Sequence, residues 1–184
     1  MTDVDQSVDL VTLIRQQHDQ VRSLMQEVKS APAAGRKEQF EALARMLAVH
    51  ETAEEMTVYP ALQKMGDEGT RVAEARKNEE DEAKKVLANL EGLDCSSTEF
   101  EQAFEEFSGN VERHASSEEA EVLPLLMESD ADGRREMARA FLLAEKMAPT
   151  HAHRMAPESA VGNMLVGPFV AMVDKVRDAI RDRK

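Results

Sequence analysis

Two stretches decide the fold: HETAEEMTVYPAL (residues 50–62) and HASSEEAEVLPLL (residues 114–126). Each opens on a His and carries a Glu pair four residues on, Glu54-Glu55 in one and Glu118-Glu119 in the other. A Val follows, then a Pro ten residues after the His, then a closing Leu. On a helix, residues four apart stack on one face, so His50 meets Glu54 and His114 meets Glu118. A Pro inside a helix removes a backbone hydrogen bond and bends the helix. Two such prolines at equal distance from two His/Glu pairs read as a duplicated helical hairpin.

Outward from these stretches the chain punctuates into helices. Ser7 can cap a first helix running to about Lys29, which ends before Ala31-Pro32. A second begins after Gly35 and ends near Met65, with Gly66 as its terminator. A third runs from about Glu68 to Glu91. Ser96 and Glu99 have capping-box spacing and open a fourth that reaches about Glu128. Ser129 and Asp132 open a shorter fifth, ending at Ala148-Pro149. Pro168 is placed to start a last helix, in which Phe169, Met172, Val173, Val176 and Ile180 share a face. No strand-like alternation of useful length is present.

The first four helices carry apolar seams at alternating steps of three and four. These are Val11, Ile14, His18, Val21, Met25 and Val28; then Phe40, Leu43, Leu47, His50, Glu54 and Thr57. The third gives Ala73, Arg76, Glu80, Ala83, Leu87 and Leu90. The fourth gives Phe100, Phe104, Phe107, Val111, His114, Glu118, Glu121 and Leu125. Such seams, with short loops between them, define an all-α, up-down-up-down four-helix bundle. We expect the bundle over residues 1–128, with residues 129–184 as a helical C-terminal extension packed on it or engaged in a homodimer contact.

Composition excludes several classes. The 184 residues hold 23 Lys and Arg against 36 Asp and Glu, a net charge of −13, which argues against a nucleic-acid surface. No apolar run approaches the ~20 residues that span a bilayer, and the acidic start MTDVDQSVD lacks signal-peptide character. One Cys, Cys95, cannot form an internal disulfide. The expected location is cytoplasmic, with no membrane partner. A Gly-rich phosphate loop, a nucleophile elbow and a Cys-based zinc motif are all lacking.

Six ionisable residues therefore stand out, because they lie on the seams at one depth: His18, His50, Glu54, Glu80, His114 and Glu118. Burying three unpaired carboxylates would rival the ~5–15 kcal/mol net stability of a domain. Imidazolium partners are one compensation; a pair of divalent metal ions is a better one, since it uses every lone pair. His18 precedes His50 by 32 residues, and Glu80 precedes His114 by 34, so the duplication selects Glu80 over its neighbours Glu79, Asp81 and Glu82. Glu51, Glu55 and Glu119 suit solvated or supporting positions. His151 and His153, in a Pro-flanked loop, fit a solvated segment better than a second metal site.

The segments LIRQQHDQV, HETAEEMTVYPAL and VERHASSEEAEVLPLL resemble the first, second and fourth helix motifs of the hemerythrin-like HHE cation-binding family. The tail resembles the extension of longer, actinobacterial-type members. The resemblance implies two non-heme iron ions, probed by the small ligands H2O2, O2 or NO. It implies His18, His50, Glu54, His114 and Glu118 as ligands, with Glu54 and Glu118 bridging. Family members usually offer a His where this chain has Glu80. Three His and three carboxylates, against five and two in oxygen carriers, favour the ferric state and argue against reversible oxygen carriage. The leading expectation is a peroxide- or O2-consuming, catalase-like oxidoreductase; the alternative is a non-catalytic iron, O2 or NO binder or sensor. Tyr59, the single Tyr, is the candidate catalytic residue, donating to a bound oxygen species or taking an electron, or else an amphipathic side chain packed at the bundle rim.

Overall fold

The computed structural model describes residues 8–148; Ser7, the His151/His153 loop and the last expected helix lie outside them. Helix α1 spans Leu10–Ser30. Its first turn is capped by Asp9, whose carboxylate accepts from the Val11 amide at 3.0 Å. Helix α2 (Ala33–Ala53) passes into a π-helical turn (Glu54–Val58) and then α3 (Tyr59–Gln63). Helix α4 covers Asp67–Leu90. Helix α5 (Thr98–Ser117) passes through a second π turn (Glu118–Val122) into α6 (Leu123–Met127). Helix α7 is Ala131–Met147. Among the described residues there is no strand. The four helical runs form the expected all-α bundle.

Several ends differ from expectation by a residue or two. Ser97, not Ser96, caps α5, accepting from the Phe100 amide at 3.1 Å, because Asp94 occupies Ser96. Asp130, not Ser129, caps α7 through the Gly133 amide at 2.7 Å. Helix α2 starts at Ala33, directly after Pro32, rather than after Gly35.

The two prolines do not break their helices. Each is preceded by a π turn, in which the Tyr59 amide reaches back five residues to the Glu54 carbonyl and the Leu123 amide to that of Glu118. The wider turn makes room for a proline ring that would press on the carbonyl four residues back. It also adds one residue to the register. In the fourth run this moves the seam: Val122 and Leu126 are buried, whereas Glu121 and Leu125, expected there, are only half-buried.

Two apolar zones sandwich a polar layer. One contains Met25, Val28, Phe40, Leu43, Leu90, Phe100, Phe104 and Phe107. There the Phe100 and Phe104 rings stack 5.6 Å apart, with Phe40 edge-on at 5.1 Å to Phe100. Toward the other end lie Leu10, Ile14, Val58, Leu62, Val72, Leu123 and Leu126, also buried. Helix α7 packs across α1, α2 and the first π turn, burying Ala138, Phe141 and Ala144.

Two glycines meet opposite demands. A Cβ on Gly69 would lie 2.0 Å from the Leu62 carbonyl oxygen, so only Gly lets α4 start so close to α3. A Cβ on Gly109, inside α5, would meet nothing within 4 Å. Gly109→Ala is thus expected to stabilise the fold by about 0.5–1 kcal/mol through helix propensity. Gly69→Ala should destabilise it by about 1–3 kcal/mol. Urea unfolding of the two variants reads the opposite signs directly.

Candidate metal centre

The polar layer is built by all four runs. Helix α1 brings His18, α2 and its π turn bring His50 and Glu54, α4 brings Glu80, and α5 with its π turn brings His114 and Glu118. Both carboxylates of the duplicated motif are the first residues of the π turns. Glu54 and Glu118 are completely buried, Glu80, His18 and His50 nearly so, and His114 is half-buried.

All six residues converge. His18, His50, Glu54 and Glu118 form one group; Glu54, Glu80, His114 and Glu118 form another. Within each, one donor atom per residue lies within 4.8 Å of all the others. The groups share Glu54 and Glu118. One offers two imidazole nitrogens and two carboxylates, the other one nitrogen and three carboxylates. Of the α4 acids, Glu80 faces into the cluster, while Glu79 turns to His114 and to Arg76.

Each imidazole aims its Nε2 inward and ties its Nδ1 outward. His18 Nε2 is 3.2 Å from Glu118, His50 Nε2 is 3.4 Å from Glu54, and His114 Nε2 is 3.6 Å from Glu118. Outside, His18 Nδ1 bonds Glu119 (3.0 Å), His50 Nδ1 bonds Gln17 (2.7 Å) and His114 Nδ1 bonds Glu79 (3.1 Å). Arg22 then holds Glu119 and Glu112, and Arg76 holds Glu79. This arrangement fixes ring orientation and directs the inner lone pair. Spacing alone gave no sign of Gln17; Glu79 and Glu119 were legible only as neighbours of seam residues, and Arg76 as a seam residue without an assigned task.

Tyr59 is fully buried, which excludes the rim position. Its hydroxyl donates to Glu80 and lies 2.9 Å from Glu118 Oε1. One hydroxyl carries one proton, so it donates to one of these two carboxylates at a time. Lys84, one turn past Glu80, pairs with Glu55 and stands 3.6 Å from Glu80.

The donor set fits cations. Both Glu54 oxygens, Glu80 Oε2 and His114 Nε2 are buried with no hydrogen-bond partner, the arrangement that a buried carboxylate avoids unless a charge of opposite sign completes it. Burial, with Glu118 and Glu80 close by, pushes Glu54 well above the usual carboxylate range. Burial, then Glu51, does the same to Glu80. Burial also opposes ionisation of Glu118, but the His18 hydrogen bond and the surrounding imidazoles outweigh it and hold the group down.

The chain belongs to the hemerythrin HHE cation-binding domain family, whose model matches residues 9–126. An uncharacterized hemerythrin-like protein of Schizosaccharomyces pombe is 31% identical over 134 residues, covering 72% of this chain. The chain spans just under two thirds of that protein's length, at 66%. The crystal structure of a hemerythrin HHE cation binding domain-containing protein from Mycobacterium kansasii superposes with a TM-score of 0.66 at 21% identity, a likeness of fold. It covers 76% of this chain and 86% of its own.

A pH dependence follows. Glu54 and Glu80 keep protons when folded that they release when unfolded, so each removes stability as pH rises. Burial pushes Glu51 up to about 8, adding to the slope. His50, pushed down to about 3 by burial and by His18, acts in the opposite sense, but its contribution is complete above pH ~7. Between pH ~7 and ~9 the metal-free protein is expected to lose stability in urea. A saturating divalent cation should flatten that slope and release protons on binding, measurable with an indicator dye.

Proposed function

We propose that the cluster holds two iron ions and that the protein is an oxidoreductase, catalase-like, reacting with H2O2 or O2. The observation that carries this reading is the sharing of Glu54 and Glu118 between two four-residue groups. Three carboxylates against two divalent ions leave one net positive charge in the apolar interior, far less than either set alone. The preponderance of hard anionic donors supports redox turnover over reversible carriage, since such donors favour the higher oxidation state. When bound, iron would supply electrons and Lewis acidity to a small oxidant.

The chain's own groups have definable tasks. His18, His50 and His114 would bind through Nε2, with Glu119, Gln17 and Glu79 keeping each ring in place. Ile14, Ala53, Val58 and Val122, all buried, keep bulk water out of the layer. Tyr59 holds a proton between Glu80 and Glu118, within the group richer in carboxylates. From there it can hand a proton to a substrate oxygen or receive one back. Disproportionation of peroxide to water and O2 is balanced in electrons and protons, so no outside reductant is required.

The test is direct. Protein loaded with ferrous iron and given H2O2 should evolve O2 over many turnovers while its visible spectrum is followed. A stoichiometric colour change without turnover would instead favour the binder or sensor. Tyr59→Phe is expected to retain metal and lower turnover about 10- to 100-fold.

A further inference from the structure

One support of the cluster comes from outside the family segment. Helix α7 begins at Ala131, beyond the matched residues 9–126. From it, Glu145 Oε1 accepts from Gln17 Nε2 at 2.6 Å. Gln17 Oε1 in turn accepts from His50 Nδ1 at 2.7 Å. Gln17 is buried, and the fully buried Phe141 of α7 lies edge-on to the His50 ring at 6.1 Å.

The direction of this chain of bonds is set from its α7 end. An amide can present either its oxygen or its nitrogen to a neighbour. A carboxylate only accepts, so Glu145 draws the Gln17 nitrogen toward α7 and leaves the oxygen facing His50. The ring must then carry its hydrogen on Nδ1, and its Nε2 lone pair faces Glu54, 3.4 Å away. Without Glu145 the amide is free to turn. Its nitrogen would then face the ring and favour the other tautomer, whose inward nitrogen carries a hydrogen and cannot bind a cation. His18 and His114 need no such relay, because carboxylates contact their Nδ1 atoms directly.

We infer that Glu145 and Gln17 are positioning residues through which α7 sets the tautomer of His50, and so governs one of the two metal positions but not the other. The inference rests on the two-position reading of the cluster. His50 belongs only to the group with His18, so a disturbance passing through it spares the group with Glu80 and His114.

Full-length wild type, Glu145→Leu, Glu145→Gln and Gln17→Met are compared in two ways. Nitrogen NMR of the metal-free proteins reports which ring nitrogen of His50 bears hydrogen. Wild type is expected to show hydrogen on Nδ1, Glu145→Leu a mixture, and Glu145→Gln, which keeps an accepting oxygen, the wild-type pattern. Calorimetric titration with Co2+ should show two binding steps, of which Glu145→Leu and Gln17→Met weaken one about 10- to 100-fold and leave the other unchanged. Unchanged His50 signals in both Glu145→Leu and Gln17→Met, equal weakening of both steps, or failure of Glu145→Gln to restore the wild type would overturn the inference. Should wild type bind no Co2+, the two-position reading fails, while the ring signals still decide the link from α7. If Glu145→Leu does not fold, Gln17→Met interrupts the same relay from its other end.

Discussion

Carboxylates do not stay ionised in hydrocarbon without a counter-charge, and this chain points three of them into the centre of an apolar bundle. Everything around them follows from that constraint. Apolar layers on both sides shut out water, which raises the penalty. The histidines share the layer and are turned so that their nitrogens face the carboxylates. The partnerless oxygens of Glu54 and Glu80 mark where protein atoms alone fall short.

The duplicated motif meets the geometric side of the same problem. Helices α2 and α5 each need a His and a Glu aimed at one point, then an exit that does not clash. The π turns start at the two glutamates and end just before the Tyr-Pro and Leu-Pro steps. Proline and π turn act as a unit, repeated once in each half of the bundle.

Much of this was legible in the sequence, because seams and caps are local. Helical spacing was enough to put His18, His50, Glu54, His114 and Glu118 on the seams, while Glu80 needed the duplication to separate it from Glu79, Asp81 and Glu82. Spacing lost track where the backbone departed from α geometry: Glu121 was expected on the seam, and the inserted residue put Val122 there instead. Cap positions slipped by one where two candidates stood side by side, as with Ser96 and Ser97. The relay from Glu145 to His50 was invisible for a different reason. Gln17 and Glu145 are 128 residues apart, and nothing in either neighbourhood signals the other. Tyr59 was recognised as noteworthy, but its burial depends on how α3 lies against α4.

The paired π turns also limit how the molecule can be improved. Replacing Pro60 and Pro124 with strong helix formers is an obvious recipe for heat resistance, and by propensity alone it should work. Here it would favour regular α winding through the two places where the winding is irregular for a reason. Gaining rigidity that way would turn the segments that follow the two glutamates, with Tyr59 and Leu62 in one and Leu123 and Leu126 in the other, relative to the His/Glu pairs before them. A tougher scaffold obtained by this route would pull the Tyr59 hydroxyl away from Glu80 and Glu118.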